Sequence, residues 1–260
     1  MDFLGTSTPL SDAGLEAATT LLGVTAADMW AVLSVETHGC GFLADRRPVI
    51  LFERHVFRRH TNGIFDASHP TVSSIVPGGY LGGAREYLRL QEAAALDPHS
   101  ALLSTSWGIG QIMGENFTLA GFAAVEDMVA AVVASEDAQL RATATYLQSR
   151  NLHLSLARHD WSTFARKYNG PHFATNQYDT RLRAAHASLS RILPDIRVRQ
   201  AQVLLMFLGI DAGAVDGVVG KRTRSGVLAF RQQQGLPSTE AIDDDCLAAM
   251  DAAVAALVGP

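Results

Sequence analysis

Lysine is almost missing from this chain. Of its 21 cationic residues only Lys167 and Lys221 are lysine, and the rest are arginine. Cysteine is equally scarce: Cys40 and Cys246 lie far apart in 260 residues, which excludes a small disulfide scaffold. The first 20 residues, MDFLGTSTPLSDAGLEAATT, carry Asp2, Asp12 and Glu16 and neither Lys nor Arg. They therefore lack both the cationic start and the continuous apolar core of a secretory signal. No run of about 18 uninterrupted apolar residues occurs, so no stable membrane insertion is expected. A net charge of −5 excludes the electrostatic footprint of a nucleic-acid binder. With 48% hydrophobic and 18% charged residues, intrinsic disorder is excluded too.

What is present suits one large domain, or a main domain plus a small one. Ser11-Asp12 followed by Leu15-Glu16 reads as the capped start of a short helix. Residues 26–36 (AADMWAVLSVE) read as a second helix whose broad apolar face predicts burial. The run Thr37-His38-Gly39-Cys40-Gly41 stops it. Residues 48–53 (PVILFE) are the best strand candidate. Residues 66–83, with Pro70, Pro77 and several glycines, read as a long loop. Helices are expected over 84–96, 125–150, 161–167 (capped by Asp160) and 176–191. The sum is mainly α, with a small β-region near 46–53.

Leu193-Pro194-Asp195 reads as a boundary, giving domains 1–193 and 194–260. Helices are expected over 198–208 and 223–234, with a last one from about residue 243. Asp216-Gly217 makes a turn whose carboxylate can accept backbone N–H bonds, and Thr223 could cap the next helix. The pattern Val198-x-x-x-Gln202-x-x-Leu205, Val215-Asp216-Gly217-x-x-Gly220-x-x-Thr223, Val227-x-x-Phe230 and Gly235-Leu236 resembles the three-helix peptidoglycan-binding domain of cell-wall enzymes. Arg231 departs from that pattern, where the family usually has Gln.

Five further segments stand out, in order: Val35-Glu36-Thr37-x-Gly39-x-Gly41-Phe42, Ile50-Leu51-Phe52-Glu53-Arg54-His55, Pro77-Gly78-Gly79-Tyr80, Ser104-x-Ser106-Trp107-Gly108-Ile109-Gly110-Gln111-Ile112-Met113-Gly114, and Phe164-Ala165-x-x-Tyr168-Asn169-Gly170-Pro171. Together they resemble the phage-type N-acetylmuramidase family of endolysins, within the wider lysozyme-like group. The resemblance covers roughly residues 8–190. It implies a lysozyme-like α+β catalytic domain, followed here by the three-helix bundle. It also implies cleavage of the β-1,4 bond between N-acetylmuramic acid and N-acetylglucosamine. Peptidoglycan is then the partner, no metal or organic cofactor is needed, and a monomer is expected.

Glu36 fits the general acid such a reaction needs. Burial at the end of an apolar helix disfavours its charged form, and the partial negative charge at the helix C-terminus acts in the same sense. The raised-pKa glutamate of lysozyme is the known precedent for that logic. Gly39 and Gly41 would leave room for a glycan near the backbone. Glu53 has two readings: a second carboxylate that stabilises an oxocarbenium-like state or activates water, or an ion-pair partner of Arg54 or Arg58. Glu115 and Asp45 are weaker candidates. The resemblance places Ser106 and Gln111 along the sugar cleft, and Tyr168 and Asn169 where the cleft closes near the acid. Ser104 reads better as a helix cap. Trp107 is either a sugar platform or core.

Other chemistries find less support. His55-x4-His60 and His153-x5-His159 lack the HExxH form of a zinc peptidase. No G-x-S-x-G marks a serine nucleophile. Cys40 could act as a nucleophile with His38 or His55, but the glycosidase reading explains more residues. Two alternatives stay open: a lytic transglycosylase that forms 1,6-anhydro ends, and a non-catalytic wall-binding protein. A chain made in a host cytoplasm without a signal peptide would reach the wall through membrane holes or a secretion machine. The arginine excess could help hold an anionic wall, and base composition explains it equally.

Overall fold

The computed structural model describes residues 2–37, 39–168, 170 and 174–257. Asn169, one of the expected cleft residues, lies outside them. Ser11 caps α1 (Asp12–Leu22) by accepting from Gly14 N, and Gly23, at φ 62°, ends it. Helix α2 (Ala26–Thr37) buries Met29, Trp30, Val32, Leu33 and Val35. Leu10, Leu140, Leu147, Trp161, Phe164 and Leu182 close around it as the first core. The walls come from α7 (Glu136–Ser149), α8 (His153–Ala157), α9 (Trp161–Tyr168) and α10 (Tyr178–Leu189).

The second core lies under a small antiparallel sheet in the order β1 (Ile50–Phe52), β2 (Thr105–Trp107), β3 (Ile112–Met113). Ile50 faces Trp107 and Ser106 faces Met113. Around it stand α3 (Arg54–His60), α4 (Glu86–Leu96), α5 (Pro98–Leu103) and α6 (Val125–Ala134). Trp107, expected as platform or core, is core: it is buried against Phe3 and its indole donates to Leu102 O.

The helix expected over 125–150 is two helices, α6 and α7. At Ser135 (φ −160°, ψ 155°) the backbone turns extended, and the Ser135 side chain caps α7 by accepting from Ala138 N. The N-terminal segment fills the gap. Thr8 N donates to Ala134 O at 2.9 Å and Glu136 N donates to Thr8 O at 2.9 Å. Backbone groups exposed by the break are therefore paired by a distant strand-like residue, which no local pattern announces.

Helices α11 (Ile196–Phe207), α12 (Lys221–Gln233) and α13 (Asp244–Ala256) enclose a third core, which also takes Phe42. The Gln202 amide pins the loop between α11 and α12. It accepts from Asp216 N and Gly217 N, and donates to Asp216 Oδ1 and Val218 O. Asp216 accepts from Val218 N, as its turn predicts. Thr223 is not the cap: Gly220 holds that position, and the Thr223 hydroxyl donates to Ala212 O inside the core. Arg231 is buried, donating to Ala241 O and pairing with Asp243, the cap of α13. The departure from the family pattern thus anchors the α12–α13 connection.

The three-helix bundle is locked to the rest of the chain. Arg199 of α11 is fully buried and pairs with Glu136 of α7 at 2.6 Å, while its Nε donates to Gly39 O. Glu136 also accepts from Leu10 N and Gly41 N. Gly39 consequently faces the bundle and Gly41 faces α7, and they offer a glycan no room. A Cβ on Gly41 would lie 1.9 Å from Gln139 Oε1. No single helix among the described residues is long and apolar enough to cross a membrane.

Candidate active site

A cleft of about 460 Å³ opens between the sheet and the α2–α7–α9 layer, lined by Glu36, Leu51, Glu53, Ser106, Gln111, Met113, Asn116, Tyr146 and Tyr168, with Ile112 beneath. Five of the six expected site residues therefore meet in one place. Glu115 and Asp45 do not line it. Glu115 pairs with Arg59 and His60, and Asp45 with Arg47.

Glu36 is the penultimate residue of α2, just before the backbone leaves the helix. Its pKa is pushed up to about 7. Loss of solvent is the main cause, opposed by a hydrogen bond from Tyr178 and the positive charge of Arg181. The Tyr178 hydroxyl donates to Glu36 Oε1, and Arg181 donates to Val35 O at 3.1 Å. Both partners come from the start of α10. Neither was expected, because a tyrosine in the first turn of a distant helix carries no local signal of what it touches.

Glu53 sits at the cap position between β1 and α3, its backbone N donating to Ser104 O. Burial raises its pKa. The Tyr80 hydroxyl lies 3.0 Å from both carboxylate oxygens. His55 Nδ1 stands 3.2 Å from Oε2 without hydrogen-bond alignment. The ion pair with Arg54 or Arg58 is not formed. Arg54 donates to Val76 O and Pro77 O, and Arg58 pairs with Asp66. A third residue absent from the expectations, Glu86, fixes the backbone just after Tyr80. Fully buried on α4, Glu86 accepts from Leu81 N and Gly82 N and pairs with Arg89, which in turn donates to Phe52 O and Gly78 O.

Gln111 occupies a left-handed conformation (φ 49°) at the turn between β2 and β3. Its amide nitrogen donates to Gly108 O (2.9 Å) and Val49 O (3.1 Å), and its oxygen accepts from Ser106 Oγ (2.9 Å). These two cleft residues brace each other and the sheet. Ser104 is buried at the end of α5, its hydroxyl donating to Ser100 O. Tyr168 stacks on Phe164, with ring centroids 5.3 Å apart, and donates to Gly110 O at 2.6 Å. One face of the cleft wall is thereby aromatic.

Cys40 lies outside the cleft. Burial and the nearby charge of Glu136 push its thiol up to about 12, so it holds no thiolate near neutral pH.

Comparison with known families fits this geometry. The N-acetylmuramidase family model matches residues 25–190. The chain belongs to the N-acetylmuramidase family. It is a peptidoglycan hydrolase, and residues 195–250 match a peptidoglycan binding domain model. Among solved structures, the endolysin of Burkholderia AP3 phage is 39% identical, with a TM-score of 0.65 over 70% of this chain and 72% of that one. The search of curated proteins produced no match.

Proposed function

We propose that this chain is an endolysin that hydrolyses the β-1,4 bond between N-acetylmuramic acid and N-acetylglucosamine, with Glu36 as general acid. One observation carries the reading: a desolvated glutamate titrating near 7 lies in the same cleft as a second carboxylate. Tyr178 occupies Glu36 Oε1, so the acid proton sits on Oε2. From there it passes to the glycosidic oxygen as the C1–O bond breaks. Glu53, whose pKa is raised by burial and lowered by the charges of His55 and Arg89, acts in its carboxylate form. It stabilises the oxocarbenium-like centre or takes a proton from the attacking water. Tyr168 and Tyr146 offer apolar ring surface to a sugar face, and Ser106 and Gln111 hold the sheet edge against which the glycan lies. Residues 1–193 form the catalytic part and 194–260 the wall-binding part, which keeps the enzyme on a polymeric substrate and raises its local concentration.

A second reading keeps the acid and changes the product. The contact of Tyr80 with both oxygens of Glu53 favours a single-acid lytic transglycosylase. Mass spectrometry of digested glycan decides: reducing muramic ends support hydrolysis, and 1,6-anhydro ends support the alternative. Glu36→Gln should lower lysis of purified sacculi by about 10²–10⁴-fold. Wild-type-like lysis by that variant would sink both readings.

A further inference from the structure

Asp28, His159 and His186 are far apart in sequence, and none of them lines the cleft. They nevertheless converge on one atom. Asp28, in the first turn of α2, is 2% exposed. Its Oδ2 is used up by the helix start, accepting from Thr25 N (2.8 Å) and Thr25 Oγ1 (2.7 Å). Its Oδ1 is met by two imidazoles, with His159 Nε2 at 2.9 Å and His186 Nε2 at 3.2 Å. The rings lie 4.3 Å apart between centroids.

The arrangement is built rather than incidental. His159 adopts a left-handed backbone (φ 54°) at the turn between α8 and α9, a conformation that costs free energy in a non-glycine residue. Its ring stacks on Trp161 at 5.2 Å and 9°, which fixes the direction of Nε2. His186 reaches Oδ1 from α10. Two ring nitrogens lie against one carboxylate oxygen: His159 Nε2 is hydrogen-bonded to it, and His186 Nε2, at 3.2 Å from it, has its hydrogen-bond partner in Ser190 Oγ, also at 3.2 Å.

We propose that Asp28, His159 and His186 form a binding site for a zinc-class divalent metal ion. Two imidazole nitrogens and one carboxylate oxygen are the donor set such ions take, with a water in the fourth position. Ligands about 2.05 Å from a tetrahedral zinc stand about 3.3 Å from one another. The two nitrogen–oxygen distances, 2.9 and 3.2 Å, are close to that edge, so small shifts admit the ion. On binding, each ring presents the Nε2 lone pair to the metal and carries its hydrogen on Nδ1; where the free ring holds that hydrogen on Nε2, Nε2 releases it and Nδ1 takes one up from solvent, with no net change in protons bound. The half-exposed His159 leaves an entry path. The ion would tie the start of α2, the α8–α9 turn and α10 together. Helix α10 also carries Tyr178 and Arg181, so the clamp lies behind the partners of Glu36 and apart from the reacting atoms.

The test uses the full-length, tag-free chain stripped with chelator, titrated with zinc chloride by calorimetry and followed by thermal unfolding. One zinc per chain at micromolar or tighter affinity is expected, with the unfolding midpoint raised by about 5–10 °C when zinc exceeds Kd a hundredfold. His159→Ala and His186→Ala should each abolish stoichiometric binding with far-UV circular dichroism unchanged. If His186→Ala does not fold, the more exposed His159→Ala decides alone. His60→Ala should bind zinc as the native chain does. No saturable micromolar binding, or binding that survives His159→Ala, overturns the site.

Discussion

Tyr178 donates a hydrogen bond to Glu36 across 142 residues of sequence. The bond holds the acid's Oε1 and opposes the desolvation that raises its pKa. Tyr178→Phe removes the opposing effect, so the Glu36 pKa should rise further. The alkaline limb of lytic activity should move to higher pH while the maximal rate falls. A pH–rate profile of the variant on purified sacculi checks both. An alkaline limb moving to lower pH would contradict the assignment.

The same burial has a stability consequence. With its folded pKa raised from 4.5 to about 7, the folded chain holds the Glu36 proton longer than the unfolded chain does. Its contribution to stability is full below about pH 4.5 and is lost as pH rises through about 7. Above that pH, Glu36→Gln should be more stable than the native chain by roughly 3 kcal/mol. Below pH 4.5 the two should converge. Denaturant unfolding at pH 4 and pH 8 measures the difference.

Arg199 and Glu136 form a buried pair joining α11 to α7. Removing one partner strands a desolvated charge, so Arg199→Ala should destabilise the chain by about 3–5 kcal/mol. The double variant Arg199→Met with Glu136→Leu should recover much of that loss. Thermal unfolding of the single and double variants tests this.

Gln111 satisfies two carbonyls and one hydroxyl at the sheet turn. Gln111→Ala should lower stability by about 1–3 kcal/mol through the unpaired groups. A variant with native stability and a raised KM alone would show that the amide contacts sugar instead of bracing the sheet.

Cys40 should be inert. Its thiol titrates near 12 and sits outside the cleft. Cys40→Ala should retain full lytic activity, and iodoacetamide at pH 8 should leave the native thiol unmodified by mass spectrometry.

Much of the fold could be read locally. Ser11, Asp160 and Asp243 cap helices where sequence places helix starts. The apolar run in α2 predicts its burial, and the β-branched and aromatic residues at 50–52 predict the strand. The place of Glu36 near the end of an apolar helix was legible locally, while its candidacy as the acid rested on the ordered motifs around it. Glycines 39 and 41 misled, because local sequence cannot say whether an empty Cβ position receives a ligand or a neighbouring helix. Here the neighbour is Gln139 and the bundle.

By itself the sequence determined most of the helical segments, that an apolar helix ends near Glu36, and that a peptidoglycan-binding pattern follows the muramidase pattern. Those properties rest on periodicity, capping and residue spacing within short windows. Tertiary structure decided the rest: that Tyr178 bonds Glu36, that Glu86 fixes the backbone just after Tyr80, whose hydroxyl meets Glu53, that Thr8 splits one expected helix into two, and that Arg199 closes on Glu136. Apart from the short-range bonds of Glu86 to Leu81 and Gly82, each joins residues distant in sequence through a hydrogen bond or ion pair. Such a bond depends on the approach of two packed elements, and no property of either segment alone encodes that approach.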